Sequence, residues 1–229
     1  MNIDVLTLFP EMIEPVAAAS MLGRASKNGI LNIRAVNIRD FTQNKHKKTD
    51  DTPFGGGAGM VMSAQPVFDA LRSVDAQDKR ILYMSPRGRK LDRDLVTDLA
   101  AEENLVILCG HYEGIDERII DFWKPEEISI GDYILTGGEL AAMVVVDAVA
   151  RMIPSVLGNQ ESHMEESVYS GLIEYPQYTK PRVYEEMEVP EVLLSGNHKL
   201  IHLWKFEKAC EITKERRPDL WEAFVRDLS

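Results

Sequence analysis

The chain has 229 residues, of which 45% are apolar, and its 37 acidic and 26 basic side chains give a formal net charge of −11 at pH 7. Two cysteines are too few for a disulfide framework, and no apolar run approaches the ~18 residues of a membrane span. We therefore expect a soluble cytoplasmic protein of one large or two smaller domains, in which any nucleic-acid binding depends on local basic patches.

Strands and helices alternate through the first two thirds of the chain. In chain order the predicted elements are a strand over 3–9, helices over 11–19 and 21–28, a strand over 31–37, a helix over 64–74, a strand over 80–84, a helix over 91–101, a strand over 104–109, a helix over 116–121, a strand over 127–130 and a helix over 138–153. This alternation is typical of an α/β fold with a mostly parallel sheet that is covered on both faces.

The character of the sequence changes after residue 157. Residues 158–170 are polar and show no hydrophobic period, whereas helices are predicted over 197–216 and 218–228. The predicted domains are an α/β domain over 1–157, a flexible linker over 158–172 and a small helical domain over 173–229.

Three of the predicted strands are followed by glycine-rich turns, within residues 83–88, 108–114 and 130–139. Ligands of open parallel sheets bind beyond the carboxyl ends of the strands, and glycine permits close approach of the backbone to a ligand. Three such turns at neighbouring strand ends would form one pocket, although three ordinary strand-to-helix turns would give the same pattern. Residues 54–60 are also glycine-rich, but they lack the spacing of a phosphate loop or a dinucleotide fingerprint.

Other common chemistries find little support in the sequence. The five histidines lack the short Cys/His spacing of zinc sites, so no metal centre is predicted, and no Gly-x-Ser-x-Gly elbow of a hydrolase occurs. Residues 44–48 and 197–217 form two basic patches that suit contacts with phosphates, and each patch also fits a simple solvated surface.

Five segments in a fixed order carry a resemblance to a known family. They are residues 54–60 (FGGGAGM), 85–88 (SPRG), 110–118 (GHYEGIDER), 130–139 (IGDYILTGGE) and 190–198 (PEVLLSGNH). Together they resemble the bacterial tRNA (guanine-37-N1)-methyltransferase family of the SPOUT superfamily, across essentially the whole chain. The resemblance implies transfer of a methyl group from S-adenosylmethionine to N1 of the guanine at tRNA position 37, beside the anticodon.

The resemblance also implies an architecture that the local sequence pattern does not. Members of this family tie the C-terminal half of the sheet into a deep trefoil knot, whereas the usual connection rules predict an unknotted sheet. They bind S-adenosylmethionine in a bent shape within the knot, and they form homodimers with active sites at the subunit interface. The helical C-terminal domain would then hold the tRNA by its phosphates and shape.

Cofactor-binding positions carried over from the family fall in the three glycine-rich turns. They are Tyr83, Met84, Ser85, Pro86, Gly110, Tyr112, Glu113, Ile130, Gly131, Asp132, Tyr133, Ile134, Leu135, Gly137 and Gly138.

Two catalytic positions are implied in the same way. Arg151 matches the family's guanine-supporting Arg, and Glu166, followed by Ser167, matches the Asp that is the proposed general base. Glu in place of Asp is a departure from the family pattern, because its extra methylene changes the reach of the carboxylate. Glu165 directly precedes it and leaves a one-residue ambiguity.

Two alternative functions remain at the level of the sequence. A regulatory module that binds a nucleotide or S-adenosylmethionine would keep the three turns without needing Arg151, Glu166 or a basic C-terminal region. A relative in the same superfamily that methylates a ribose or another base is disfavoured by the segments over 54–60 and 195–198.

Overall fold

A computed structural model of the protein describes residues 1–157 and 171–228. The chain divides into two compact units, the first within Met1–Gln160 and the second within Glu161–Ser229.

The first unit alternates strands and helices, as the sequence pattern predicts. Its elements are β1 (Asn2–Thr7), α1 (Pro10–Ala17), α2 (Ser20–Lys27), β2 (Asn32–Asn37), β3 (Asp50–Asp51), β4 (Val61–Met62), α3 (Ala64–Ser73), β5 (Arg80–Lys90), α4 (Arg93–Ala100), β6 (Asn104–Cys109), α5 (Glu117–Trp123), β7 (Glu126–Ser129) and α6 (Glu139–Met152). Five strands form a parallel sheet in the order β2-β1-β6-β5-β7, which confirms the predicted α/β class and parallel sheet.

Side chains of the central strands alternate between two cores, one on each face of the sheet. In β6, Leu105 and Ile107 belong to one core, and Val106 and Leu108 belong to the other. Residues of α1, α2, α4 and α6 complete the first core, whereas residues of α3 and α5 complete the second. Burial on both faces explains why the central strands are almost continuously apolar in sequence.

The predicted end of the strand over 80–84 is wrong, because the corresponding strand β5 continues to Lys90. Its pairing with β7 shifts between Met84 and Arg89, both of which oppose Ile128. Residues 85–88 are therefore an insertion within the ladder, and not the turn that their Pro and Gly indicate. A Cβ on Gly88 would lie 2.3 Å from the carbonyl carbon of Glu127, so this close approach requires glycine.

The second unit contains the two predicted helices and a short hairpin. Its elements are β8 (Val183–Tyr184), β9 (Met187–Glu188), α7 (Glu191–Leu194), α8 (His198–Arg216) and α9 (Pro218–Asp227). The Asn197 side chain caps α8 by accepting a hydrogen bond from the Leu200 N–H, at 3.3 Å. The buried Thr213 hydroxyl accepts a bond from the Ile173 N–H at 2.7 Å, which attaches the start of this unit to α8.

Candidate functional site

The middle of β5, including its bulge, and the carboxyl ends of β6 and β7 surround a cavity of about 490 Å³. These strands are parallel and adjacent in the sheet, so the turns after β6 and β7 meet the bulged part of β5 at one edge. His111 pairs with Gly137 in an isolated antiparallel bridge, and the Gly138 N–H donates to the Gly110 carbonyl oxygen at 2.8 Å. Backbone contacts thus join two of the three predicted turns into a single wall.

The predicted cofactor-binding positions line this cavity, with one exception. Those in the lining are Tyr83, Met84, Ser85, Pro86, Gly110, Tyr112, Glu113, Ile130, Gly131, Tyr133, Ile134, Leu135, Gly137 and Gly138. Asp132 is the exception: its carboxylate pairs with the Lys90 ammonium at 2.6 Å, and its side chain is 82% exposed.

The lining also contains residues that the sequence analysis did not single out. They are Arg87, His111, Gly114, Ile115, Glu117, Ile128, Ser129, Thr136 and Ala141. Most of the charged and polar ones lie within the segments 85–88 and 110–118, so their place in those motifs was an available signal. Ala141 comes from the first turn of α6 and has no such signal.

Tyr83, in β5 just before its bulge, packs tightly against Gly110, which follows β6. A Cβ on Gly110 would lie 2.9 Å from both the Cε2 and the Oη atoms of Tyr83, so glycine leaves room for the ring. Burial raises the pKa of the Tyr83 hydroxyl above its ordinary value, and the group therefore remains a neutral donor at pH 7.

The glycine-rich segment over 54–60 is attached to the turn after β6. The Glu113 N–H donates to the Met60 carbonyl oxygen at 3.0 Å, and the Met62 N–H donates to the Gly114 carbonyl oxygen at 2.9 Å. Gly59 has a positive φ of 92°, and a Cβ there would lie 2.5 Å from the Glu113 side chain. This segment therefore ends directly beside a wall of the cavity.

Charged and apolar side chains both contribute to the cavity lining. Ile128, Ile130 and Leu135 are apolar, whereas Arg87 and Glu117 are charged. The Arg87 guanidinium lies 3.3 Å from the Glu127 carboxylate and 3.7 Å from that of Glu117. Such a mixture suits a ligand with a flat apolar part and a charged end.

The two catalytic positions carried over from the family do not appear in the cavity lining. Arg151 lies in the last turn of α6 and is partly buried. Glu166, together with Glu165, lies outside the described residues.

Residues 1–157 and 171–228 contain no group of three or more His, Cys, Asp and Glu side chains placed to hold a metal ion. None of the helices in these two ranges combines the length and the apolar character that crossing a bilayer requires.

Comparison with known proteins gives one consistent result. The family model described as "tRNA (Guanine-1)-methyltransferase TrmD" matches residues 1–223. Three curated relatives carry the name tRNA (guanine-N(1)-)-methyltransferase. The protein from Clostridium acetobutylicum is 54% identical over 226 residues, which cover 98% of this chain and 93% of the relative. That from Ruminiclostridium cellulolyticum is 53% identical, over 96% of each chain. That from Alkaliphilus oremlandii is 53% identical, over 98% of this chain and 94% of the relative.

The family match covers the first compact unit, the second unit as far as residue 223, and all five segments that resemble this family. The matched relatives are more than half identical to this chain over nearly its full length. Together with the family match, this shows that the chain belongs to the tRNA (guanine-1)-methyltransferase TrmD family.

Proposed function

We propose that the protein transfers a methyl group from S-adenosylmethionine to N1 of the guanine at position 37 of tRNA. The observation that carries this proposal is the cavity formed by the middle of β5 and by the turns after β6 and β7, which the segments that resemble this family line. A purely regulatory module would share the cavity, but membership in a family whose relatives are named as methyltransferases favours the enzyme.

The cavity fits S-adenosylmethionine in size and chemistry. A volume of about 490 Å³ lies within the range of small-molecule sites. Ile130 and Leu135 provide apolar contacts for an adenine face, and Arg87 and Glu117 provide charges for an amino-acid end. S-adenosylmethionine supplies an electrophilic methyl group on a positively charged sulfur.

A trefoil knot in this region is part of the proposal, and the chain path supports it. After the edge strand β7, the chain passes the bulged part of β5 and returns to the end of β6 at Gly138. It then enters α6, which packs against α1 and α4 on one face of the sheet. This return across β5, from the edge strand to the end of β6, is the kind of path that threading through a loop requires.

The target guanine must lose its N1 proton before N1 becomes a good nucleophile. We assign Glu166 as the general base that accepts this proton, which typically contributes about 10² to 10⁴ in rate. We assign Arg151 to stabilise the negative charge that develops on guanine O6. The protein's main task is then to orient the base toward the methyl group.

The second unit is the proposed tRNA-binding part. Basic side chains are frequent along α8 and at its end, including Lys199, Lys205 and Arg217. Some of this charge is offset, since Arg217 pairs with Asp219 at 2.6 Å. The Lys205 ammonium lies 4.4 Å from the centre of the Tyr175 ring, so this tyrosine packs within the unit. Contacts with the tRNA phosphates would therefore come from the lysines and arginines of this unit.

A homodimer with shared active sites is proposed from the family and from two helices of the first unit. Leu140 and Val144 on α6, and Met12 and Val16 on α1, are large apolar side chains that are exposed in the single chain. Because α1 packs against α6, these residues belong to neighbouring helices. An exposed apolar surface of this kind is typical of a subunit interface.

Subunit mixing tests this arrangement. If each site takes Arg151 from one chain and Glu166 from the other, equal mixing of Arg151→Ala and Glu166→Gln subunits leaves one intact site in each mixed dimer. Random exchange then predicts recovery of about a quarter of wild-type activity from two inactive parents. A fully active monomer in sedimentation, or no recovery after exchange is verified, would contradict the shared site.

Ligand binding tests the cofactor assignment. We expect S-adenosylmethionine at 100 times its dissociation constant to stabilise the protein by ~2.7 kcal/mol, and therefore to raise the Tm by several degrees. NAD and ATP are expected to leave the Tm unchanged in the same series. Stabilisation by ATP alone would overturn the assignment.

Methyl uptake tests the substrate directly. Unmodified tRNA transcripts with guanosine or adenosine at position 37 are incubated with labelled S-adenosylmethionine. We expect label only in the guanosine transcript, and equal labelling of both would place the reaction at another nucleotide.

A further inference from the structure

Glu139, the first residue of α6, is a buried carboxylate to which the proposed chemistry assigns no role. Its exposed fraction is 2%. It is the acidic residue in the first turn of this helix. Burial of a carboxylate is costly unless hydrogen bonds or charges compensate for it. Its environment therefore indicates what the group does.

One oxygen of Glu139 is fixed by the end of β1. The hydroxyl of Thr7, itself fully buried, donates to Glu139 Oε1 at 2.8 Å, and the Phe9 N–H donates to the Thr7 hydroxyl oxygen at 2.8 Å. This chain of bonds determines the direction of the Thr7 hydroxyl proton. It holds the carboxylate in one orientation, because the Thr7 hydroxyl donates to one of its two oxygens.

The other oxygen lies directly behind the cavity wall. A Cβ on Gly137 would lie 2.4 Å from Glu139 Oε2 and 2.7 Å from the His111 ring, and both Gly137 and His111 line the cavity. Glu139 Oε2 therefore lies beside Gly137, a residue of the cavity lining that has no side chain to fill the space between them.

No basic group within 1–157 or 171–228 forms an ion pair with Glu139. Two features offset the cost of burying this carboxylate. The Thr7 hydroxyl donates a hydrogen bond to it, and it lies at the N-terminal end of α6, where the helix dipole stabilises negative charge. The field of the carboxylate also reaches Cys109: burial raises the pKa of this thiol well above its ordinary value, and Glu139 raises it further.

We propose that Glu139 is a specificity-determining residue whose buried negative charge favours the cationic cofactor over its neutral demethylated product. The inference rests on the proposed function, because it concerns the same cavity. Methyl transfer converts a sulfonium into a neutral thioether, and the N1 proton of guanine leaves to a base. The attraction between Glu139 and the ligand is thereby lost, which promotes release of the product.

The test compares ligands of equal shape and different charge. Binding of S-adenosylmethionine, sinefungin and S-adenosylhomocysteine is measured by calorimetry. Sinefungin carries an ammonium-bearing carbon in place of the sulfonium, and S-adenosylhomocysteine is neutral there. Opposite unit charges roughly 10 Å apart inside a protein attract enough to change affinity by about fivefold to twentyfold.

Glu139→Gln removes the charge but keeps an oxygen that accepts the Thr7 hydrogen bond. We expect the affinity for the two cationic ligands to fall by about fivefold to twentyfold, with S-adenosylhomocysteine affected less than twofold. Thr7→Val is the matched control, because it removes the hydrogen bond and keeps the charge. It should change the affinity for all three ligands by the same factor.

Each outcome decides the matter. Equal losses for all three ligands in Glu139→Gln would show a merely structural role and overturn the inference. If wild-type protein binds none of the three, the proposed function fails instead. Should Glu139→Gln not fold by circular dichroism, Glu139→Asp replaces it. Because Asp keeps the negative charge, we expect the ratio of the affinities for the cationic ligands and for S-adenosylhomocysteine to stay within about threefold of the wild-type ratio. Loss of this preference in Glu139→Asp would overturn the inference.

Discussion

Glu166→Gln is expected to slow the methyl-transfer step by about a hundredfold or more, the usual scale for loss of a general base. The amide has nearly the shape of the carboxylate but does not accept the N1 proton of guanine. Cofactor binding is expected to be unchanged, because Glu166 is not part of the three turns that line the cavity. Single-turnover methylation measures the chemical step apart from product release.

Glu165→Gln is the matched control for this prediction, and it should react at nearly the wild-type rate. A slow Glu165→Gln beside a normal Glu166→Gln would move the base by one residue. Normal rates in both variants would contradict a general base within residues 158–172. The two acidic residues of β3, Asp50 and Asp51, would then be the next candidates. A hydrogen bond from the Thr52 N–H, and to a lesser extent Lys48, holds the pKa of Asp51 below its ordinary value. Asp51 is therefore the weaker base of the two, and Asp50 is the better candidate.

Gly137→Val is expected to abolish cofactor binding. Its Cβ alone would meet Glu139 Oε2 at 2.4 Å and the His111 ring at 2.7 Å, so the turn must move and the cavity wall with it. We expect no Tm shift with S-adenosylmethionine at concentrations that saturate the wild-type protein. Gly137→Ala makes the same contacts with less bulk and should weaken binding less.

Gly29→Asn is the control for a glycine substitution as such. Gly29 has a φ of 71° after α2, no atom lies within 4 Å of a Cβ built on it, and Asn tolerates this backbone conformation. This variant should bind the cofactor as the wild type does. Wild-type binding by Gly137→Val, with the unliganded fold verified by circular dichroism, would contradict the role of this turn.

Much of the fold could be predicted from local pattern. The bounds predicted for β6 match the structure, because residues 105–109 are apolar on both faces and Gly110 follows them. The end of β5 was not, because Pro86 and Gly88 signal a turn locally. The ladder continues there only because β7, some 40 residues later in the chain, pairs on both sides of the insertion.

The candidate site shows the same division. Glycines at strand ends predicted the place of the cavity, and the family motifs predicted most of its lining. Nothing in the sequence indicated that Glu139 is buried, because a Glu in the first turn of a helix is ordinarily exposed. Its position depends on Thr7, which is 132 residues away in the chain. Contacts over such separations are invisible to periodicity and spacing.

The most direct measurement is analysis of the methylated nucleoside itself. Unmodified tRNA with guanosine at position 37 is incubated with the protein and S-adenosylmethionine, digested, and examined by mass spectrometry with fragment mapping. The proposed function predicts 1-methylguanosine, one per tRNA and located at position 37. A methylated ribose, a different methylated base, or 1-methylguanosine at another position would contradict it.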